Sequence, residues 1–474
     1  RDPEMSRGLG DVYKRQVNIY QRERRIFQMK QSVRFKIISI FAVCIFMVTI
    51  VATISKSGVL PINSYESEAV EDYRQDAENE IKYNTIICGN FSDCNCEIIQ
   101  KNSEPKKNGK LPDEYAYVIG YSSENYGAFG LHSSQFDVLY DDAGNGKGKS
   151  IKLTTDNGLQ YLCTELLKDT DGSAVVIERN SGKIRALVST DKKMVFSVND
   201  LSDEKMAEYN SVEGLWLPKY NINEQPGSVS KLFSCACILE SGNEDFTYND
   251  ETGIVIYNEG EVRNCDGEIM GMLDLKKAVL KSSNVYFALA SMQVDRATIQ
   301  DMIKKFMFNQ DIDCDFGTVR TDYDLGTYRY DRASAFYGQG MTLFSTVSLA
   351  MLTQGVCDGS IYKPHIIDSV YDENESSVKI FSETEEEVLS ENVVSNETMK
   401  KLDSILLETA ENYGIPAEMN IRAKTGTADL VNLKQKATIC SYNDDYIVVV
   451  SETNTDKYGI KLTDKLIQIY DYLT

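Results

Sequence analysis

Histidine is almost missing from this chain: 474 residues contain only His132 and His365. Neither stands beside a second histidine or a plausible nucleophile, which excludes a histidine-ligated zinc centre and a Ser-His-Asp triad. Any mechanism must then run on Ser, Lys, Asp, Glu, Tyr or Cys. Positive charge is also scarce, with 50 Lys and Arg against 72 Asp and Glu and a net charge of −22. Binding phosphates by counterion release needs clustered cations, so nucleic acid is excluded as a partner. The acidic surface serves solubility instead. Metal-ligand spacing is missing too. The stretch CGNFSDCNC brings Cys88, Cys94 and Cys96 together without a fourth ligand or C-x-x-C spacing, so a local disulfide or free thiols are expected there and no metal. No motif calls for a cofactor, and no internal repeat is evident.

What remains is a globular composition. Hydrophobic residues make up 42% and charged residues 26%, which argues against collagen-like or wholly disordered chains. The length suggests two or three units with room for a substantial core. Residues 1–16 look unrelated to the rest and resemble a translated cloning adaptor, so they carry no fold information. Residues 17–36 include Arg22, Arg24, Arg25, Lys30, Arg34 and Lys36. The run IISIFAVCIFMVTIVATI follows with no charge and no proline, long enough to cross a bilayer, and residues 37–55 are therefore expected to form a transmembrane helix. Only Lys56 stands close on the far side. By the positive-inside bias the N-terminus is cytoplasmic and the rest lies outside the cell membrane. Ten of the eleven cysteines then fall outside the membrane, where some could pair. Cys235 and Cys237 fall in an apolar helical stretch and are expected to be small core residues.

A polar, acid-rich stretch after the span suggests a stalk, and the loop DDAGNGKGK from Asp141 to Lys149 marks a domain boundary. Residues 56–145 are expected to form a stalk and small pedestal, and 146–474 the main domain. In the latter, SIKLTTD alternates like a strand and LQYLCTELLK has helical spacing. GSAVVIERNSGKIRALVS reads as a hairpin turning at Asn180, Ser181 and Gly182. IRAKTGTADL and KATICSYNDDYIVVVSETN supply further strands, and LTDKLIQIYDYL is an amphipathic helix. Strands at both ends with helices between them predict an α+β fold whose sheet joins distant parts of the chain.

Three short motifs occur in an order that suits acyl-serine chemistry. In PGSVSKLFSCACILESG, Ser228 and Lys231 form S-x-x-K at the start of an apolar helix. Residues three apart share a face, so the Lys231 amine can reach the Ser228 hydroxyl. A serine needs a base, and burial with a nearby cation such as Lys424 would favour a neutral Lys231. In KSSNVYFALA, Ser282, Ser283 and Asn284 precede a second apolar helix, with Ser282 suited to relaying a proton and Asn284 to binding a substrate amide. In AKTGTADL, Lys424, Thr425, Gly426 and Thr427 lie in a predicted strand, where a glycine admits another backbone. There Lys424 and the threonine hydroxyls would hold a carboxylate, and the N–H groups of Thr427 and Ser228 would form an oxyanion hole. Each motif alone has a commonplace reading, as a helix cap, an N-cap or a surface turn. Together they are specific.

With these residues in place, the chain resembles the class B penicillin-binding proteins. YAYVIGYSSENYGAFGLHSSQFDVLY, KSIKLTTDNGLQ and the G-Q-G of Gly338, Gln339 and Gly340 extend the resemblance over roughly residues 112–474. It implies a transpeptidase domain like that of serine β-lactamases, with a five-stranded antiparallel sheet flanked by helices, above a small N-terminal pedestal and one transmembrane helix. The roughly ninety residues between span and main domain are too few for a glycosyltransferase domain of ordinary size, which separates the chain from class A. The implied reaction is D,D-transpeptidation of peptidoglycan stem peptides through an acyl-Ser228 intermediate, with β-lactams as covalent inhibitors. The implied partner is a membrane-embedded glycan polymerase of the SEDS type. The alternatives are a D,D-carboxypeptidase or β-lactamase-type hydrolase, and a non-catalytic β-lactam sensor or cell-wall scaffold. The sequence departs from the family where R-G-x-I-x-D-R is replaced around Asn84, Thr85 and Ile86, where His132 takes a glutamate's place, and where Val347 follows Thr346.

Overall fold

A computed structural model describes residues 86–87, 113–123, 125–139, 149–374, 377–430, 435–456 and 458–474. The chain divides into two compact units, Arg1–Glu78 and Asn79–Thr474, and every described residue belongs to the second. The expected leader, cytoplasmic segment, transmembrane helix, Cys88–Cys96 cluster and most of the stalk lie outside the described residues. Among the described residues no helix is long and apolar enough to cross a membrane.

Period-two alternation builds the central sheet. After helix α1 (Asn157–Leu167), strands β1 (Asp171–Glu178) and β2 (Ile184–Ser189) form the hairpin expected around Asn180 to Gly182. The apolar helix α2 (Lys231–Glu240) follows the first motif, and α3 (Asn284–Ala290) the second. Helices α4 (Thr346–Cys357) and α5 (Asn396–Asn412) then lead to strands β3 (Arg422–Asp429), β4 (Gln435–Tyr442) and β5 (Tyr446–Thr455). The closing helix is α6 (Thr463–Leu473). Five antiparallel strands run in the order β3-β4-β5-β1-β2, so chain ends far apart in sequence pair at the β5–β1 junction.

Both faces of this sheet are buried. Ala174, Val176, Val448 and Val450 point to one side, where α1 and α6 cover them with Leu159, Cys163, Leu466 and Ile469. Val175, Ile177, Ile447 and Val449, one residue out of phase, point to the other, into a core shared with α2 through Phe233 and α4 through Leu349. Each fully buried Val or Leu contributes about 2 kcal/mol. Cys235 and Cys237 are buried in that core with free thiols. Tyr115, Val118, Ile119 and Leu131 pack into the same core. Strand β3, which carries the third motif, is left at the open edge of the sheet.

Candidate active site

Ser228 does not open an α-helix directly. Residues Gly227–Ser230 form a 3-10 turn, and α2 begins only at Lys231. In a 3-10 turn, side chains three apart nearly eclipse one another, which tightens the approach expected from S-x-x-K spacing. Lys231 Nζ stands 2.9 Å from Ser228 Oγ. The turn fits there because of glycine. Gly227 has φ +59, and a Cβ on it would meet Thr427 O at 2.5 Å, while a Cβ on Gly426 would meet Pro226 O at 2.7 Å. The serine segment thus lies backbone to backbone against strand β3, as a strand glycine permits.

The second motif closes the other side. Ser283 is the N-cap of α3, its Oγ accepting from Tyr286 N at 3.1 Å. The commonplace reading therefore holds for the middle residue of the motif, and capping leaves its two neighbours free for other work. Ser282 adopts φ +55, an uncommon conformation for a residue with a side chain. Its carbonyl accepts from Lys231 Nζ at 2.7 Å, and its Oγ lies 3.3 Å from that nitrogen. Asn284 Oδ1 accepts from Lys231 Nζ at 2.8 Å, and Asn284 Nδ2 donates to Arg263 O at 2.9 Å. From the third motif, Lys424 Nζ reaches Ser282 Oγ at 3.1 Å. Ser228, Lys231, Ser282, Asn284 and Lys424 therefore converge at one point.

Both lysines are sealed from solvent, Lys231 at 0% and Lys424 at 1% exposure, which rules out a solvated surface role. Burial holds the Lys231 amine well below the usual lysine value, and the Lys424 charge pushes it the same way. A neutral amine has two N–H donors and one lone pair. In that form, donating to the Ser282 carbonyl and Asn284 Oδ1, Lys231 keeps a lone pair that can accept from the Ser228 hydroxyl 2.9 Å away. Such an amine can remove the serine proton.

The backbone of β3 offers the matching electrophilic side. Thr425 N donates to Tyr413 Oη at 3.3 Å and so points away from β4. In an antiparallel strand the N–H two residues on points the same way, so Thr427 N also leaves the sheet at its open edge. Thr425, Gly426 and Thr427 line the groove with Ser228, Ser282 and Asn284. Thr427 Oγ1 accepts from Gly459 N at 3.1 Å. Neither His132 nor His365 lines this groove. Burial holds the His132 imidazole down, to about 4.

Sequence reasoning missed three side chains that hold these motifs. Asn264 Oδ1 accepts from Ser283 Oγ at 3.0 Å and Val285 N at 3.1 Å, and Asn264 Nδ2 donates to Asp250 Oδ2 at 2.7 Å. Tyr413 Oη lies 3.2 Å from Lys424 Nζ. None of the three belongs to a motif.

A family described as the penicillin binding protein transpeptidase domain matches residues 172–468. Over 235 residues the chain is 26% identical to penicillin-binding protein 3 of Bacillus subtilis (strain 168), covering 46% of this chain and 34% of that protein. Over 313 residues it is 22% identical to peptidoglycan D,D-transpeptidase MrdA of Acinetobacter baumannii, covering 61% of this chain and 46% of that protein. The chain thus spans less than half the length of either curated relative. Its fold is similar to that of penicillin-binding protein A from M. tuberculosis, solved as a ceftriaxone acyl-enzyme complex. The TM-score is 0.71 at 17% identity, over 84% of this chain and 99% of that one.

Proposed function

Because the chain belongs to the class B penicillin-binding proteins, through a transpeptidase domain over residues 172–468, we propose that it is a peptidoglycan D,D-transpeptidase with Ser228 as nucleophile. The observation that carries this reading is the Lys231 amine, buried, with both donors engaged and 2.9 Å from Ser228 Oγ.

Lys231 takes the Ser228 proton as Oγ attacks the carbonyl of a terminal D-Ala-D-Ala bond. The negative charge that develops on the carbonyl oxygen is met by the N–H groups of Ser228 and Thr427, preorganised by the turn and the edge strand. Collapse of that intermediate expels the D-Ala amine, which needs a proton. Ser282 Oγ, within hydrogen-bond reach of both Lys231 and Lys424, can carry it there. The acyl-Ser228 ester then passes to an amine of a second stem peptide by the same steps in reverse. Asn284 steadies Lys231 and presents its amide at the groove. Lys424, Thr425, Gly426 and Thr427 receive the terminal carboxylate along β3. A β-lactam, whose strained amide and carboxylate imitate the donor end, acylates the same serine.

The main domain spans residues 146–474 and residues 56–145 form a stalk and pedestal. The apolar run at 37–55 anchors the protein in the cell membrane with its N-terminus cytoplasmic. There it works beside a membrane-embedded glycan polymerase of the SEDS type.

Labelling with a fluorescent penicillin tests the assignment. Wild-type protein should become covalently labelled and Ser228→Ala should not, and unchanged labelling of that variant would overturn it. Incubation with stem peptide, with and without an amine acceptor, separates transfer from hydrolysis.

A further inference from the structure

Tyr413 is the C-cap residue of α5, eleven positions before Lys424, in a stretch with no recognisable pattern. Its Oη lies 3.2 Å from Lys424 Nζ and accepts from Thr425 N at 3.3 Å, and Lys424 Nζ stands 5.9 Å from its ring centroid. The remaining partners of Lys424 Nζ are Ser282 Oγ at 3.1 Å and Thr425 O at 3.0 Å. An ammonium has three N–H donors, and these three acceptors take all of them. Lys424 is thus fully satisfied as an ammonium, while burial and the Lys424 charge hold the Lys231 amine well below the usual lysine value. One of the three acceptors that satisfy Lys424 is the phenol.

We propose that Tyr413 is a positioning residue of the acyl transfer, its phenolic oxygen holding the Lys424 side chain on Ser282 beside the Lys231 base. This rests on the transpeptidase reading of the same site. Without that oxygen, one N–H of a buried cation has no partner, and a buried charge left so is costly. Lys424 then turns from Ser282 toward other acceptors, and less positive charge bears on Lys231. The ionisable groups facing the pair are few. Lys231 is faced by Lys424 and by the thiols of Cys235 and Cys265, and Lys424 lies near Cys235 and Cys440. Burial pushes the Cys235 and Cys440 thiols up to about 12 and raises that of Cys265, so all three stay uncharged at neutral pH. Tyr413 itself is pulled both ways. Burial pushes its phenol up, but the Lys424 charge and the hydrogen bonds from Thr425 and Lys424 outweigh it and leave the phenol below the ordinary tyrosine value.

The test is the pH dependence of Ser228 acylation by a fluorescent penicillin in wild type and Tyr413→Phe, with thermal unfolding of both. The expected result is a folded variant whose acylation rate constant at neutral pH falls roughly tenfold and whose acid limb moves to higher pH. A folded Tyr413→Phe with the wild-type rate and profile would overturn the proposal. Should Tyr413→Phe fail to fold, 4-aminophenylalanine at position 413 decides. It keeps the ring and a polar atom in place but offers only a delocalised nitrogen lone pair, a weaker acceptor that stays uncharged near neutrality, so a reduced rate supports the role and the wild-type rate overturns it. Failure of the transpeptidase reading itself would look different, as no labelling of wild type or undiminished labelling of Ser228→Ala.

Discussion

Lys231 and Lys424 meet at a single hydroxyl, their Nζ atoms 3.3 and 3.1 Å from Ser282 Oγ. Two ammonium groups so placed away from water would repel strongly, and the pair is stable because one of them gives up its proton. Lys231 is the one that does, its amine held down by complete burial and by the Lys424 charge. A base next to a cation is the electrostatic core of the site.

Removal of the cation should therefore be felt at the base. Lys424→Met relieves the repulsion that depresses Lys231, so the acid limb of Ser228 acylation moves to higher pH. The same change removes charge from the proposed carboxylate subsite, and the rate at neutral pH should drop about 100-fold or more. Stopped-flow labelling with penicillin across pH checks both.

Gly426→Ala should cost stability and activity together. The new Cβ would meet Pro226 O at 2.7 Å and Val229 N at 2.9 Å, both backbone atoms that cannot turn aside. Separating the serine turn from β3 should destabilise the protein by about 1–3 kcal/mol and slow labelling, because the proposed oxyanion donors Ser228 N and Thr427 N move apart. Urea unfolding and penicillin labelling measure the two effects, and wild-type values in both would exclude the backbone contact as the reason for this glycine.

Asn264→Ala should act through the second motif. Asn264 is buried and spans Asp250, the Glu268 carbonyl, Ser283 Oγ and Val285 N. Its loss strands several buried polar groups and should cost about 2–3 kcal/mol. Because Arg263 O holds Asn284 Nδ2, the same loop also fixes the Lys231 partner. The acylation step should slow while penicillin affinity changes little, a split that saturation kinetics would show.

Local patterns carried much of this architecture. The β1–β2 hairpin and the turn from Asn443 to Asp445 between β4 and β5 are set by neighbouring residues, and both are legible as alternation broken by turn formers. Ser228, Lys231, Ser282, Asn284 and Lys424 were legible because each sits in a short spacing with its own chemical sense. Their meeting point was not derivable from spacing, since it depends on β3 reaching the edge of a sheet completed by β1 and β2. The 3-10 turn under Ser228 replaces the expected helical first turn because β3 presses on Gly227. Tyr413, Asn264 and Asp250 left no trace in sequence. A tyrosine after a helix, or an asparagine in an irregular loop, looks the same whether it faces solvent or a buried lysine, and only long-range packing distinguishes the cases.

The most direct test is the pH profile of Ser228 acylation by a penicillin in the wild-type protein. With Lys231 held neutral by burial and by Lys424, the rate should reach its plateau well below the ordinary lysine value of 10.5, so that labelling is fast near neutrality. A rate that keeps climbing toward that value would mean Lys231 is an ordinary ammonium in the folded protein, and would contradict its role as the base that activates Ser228.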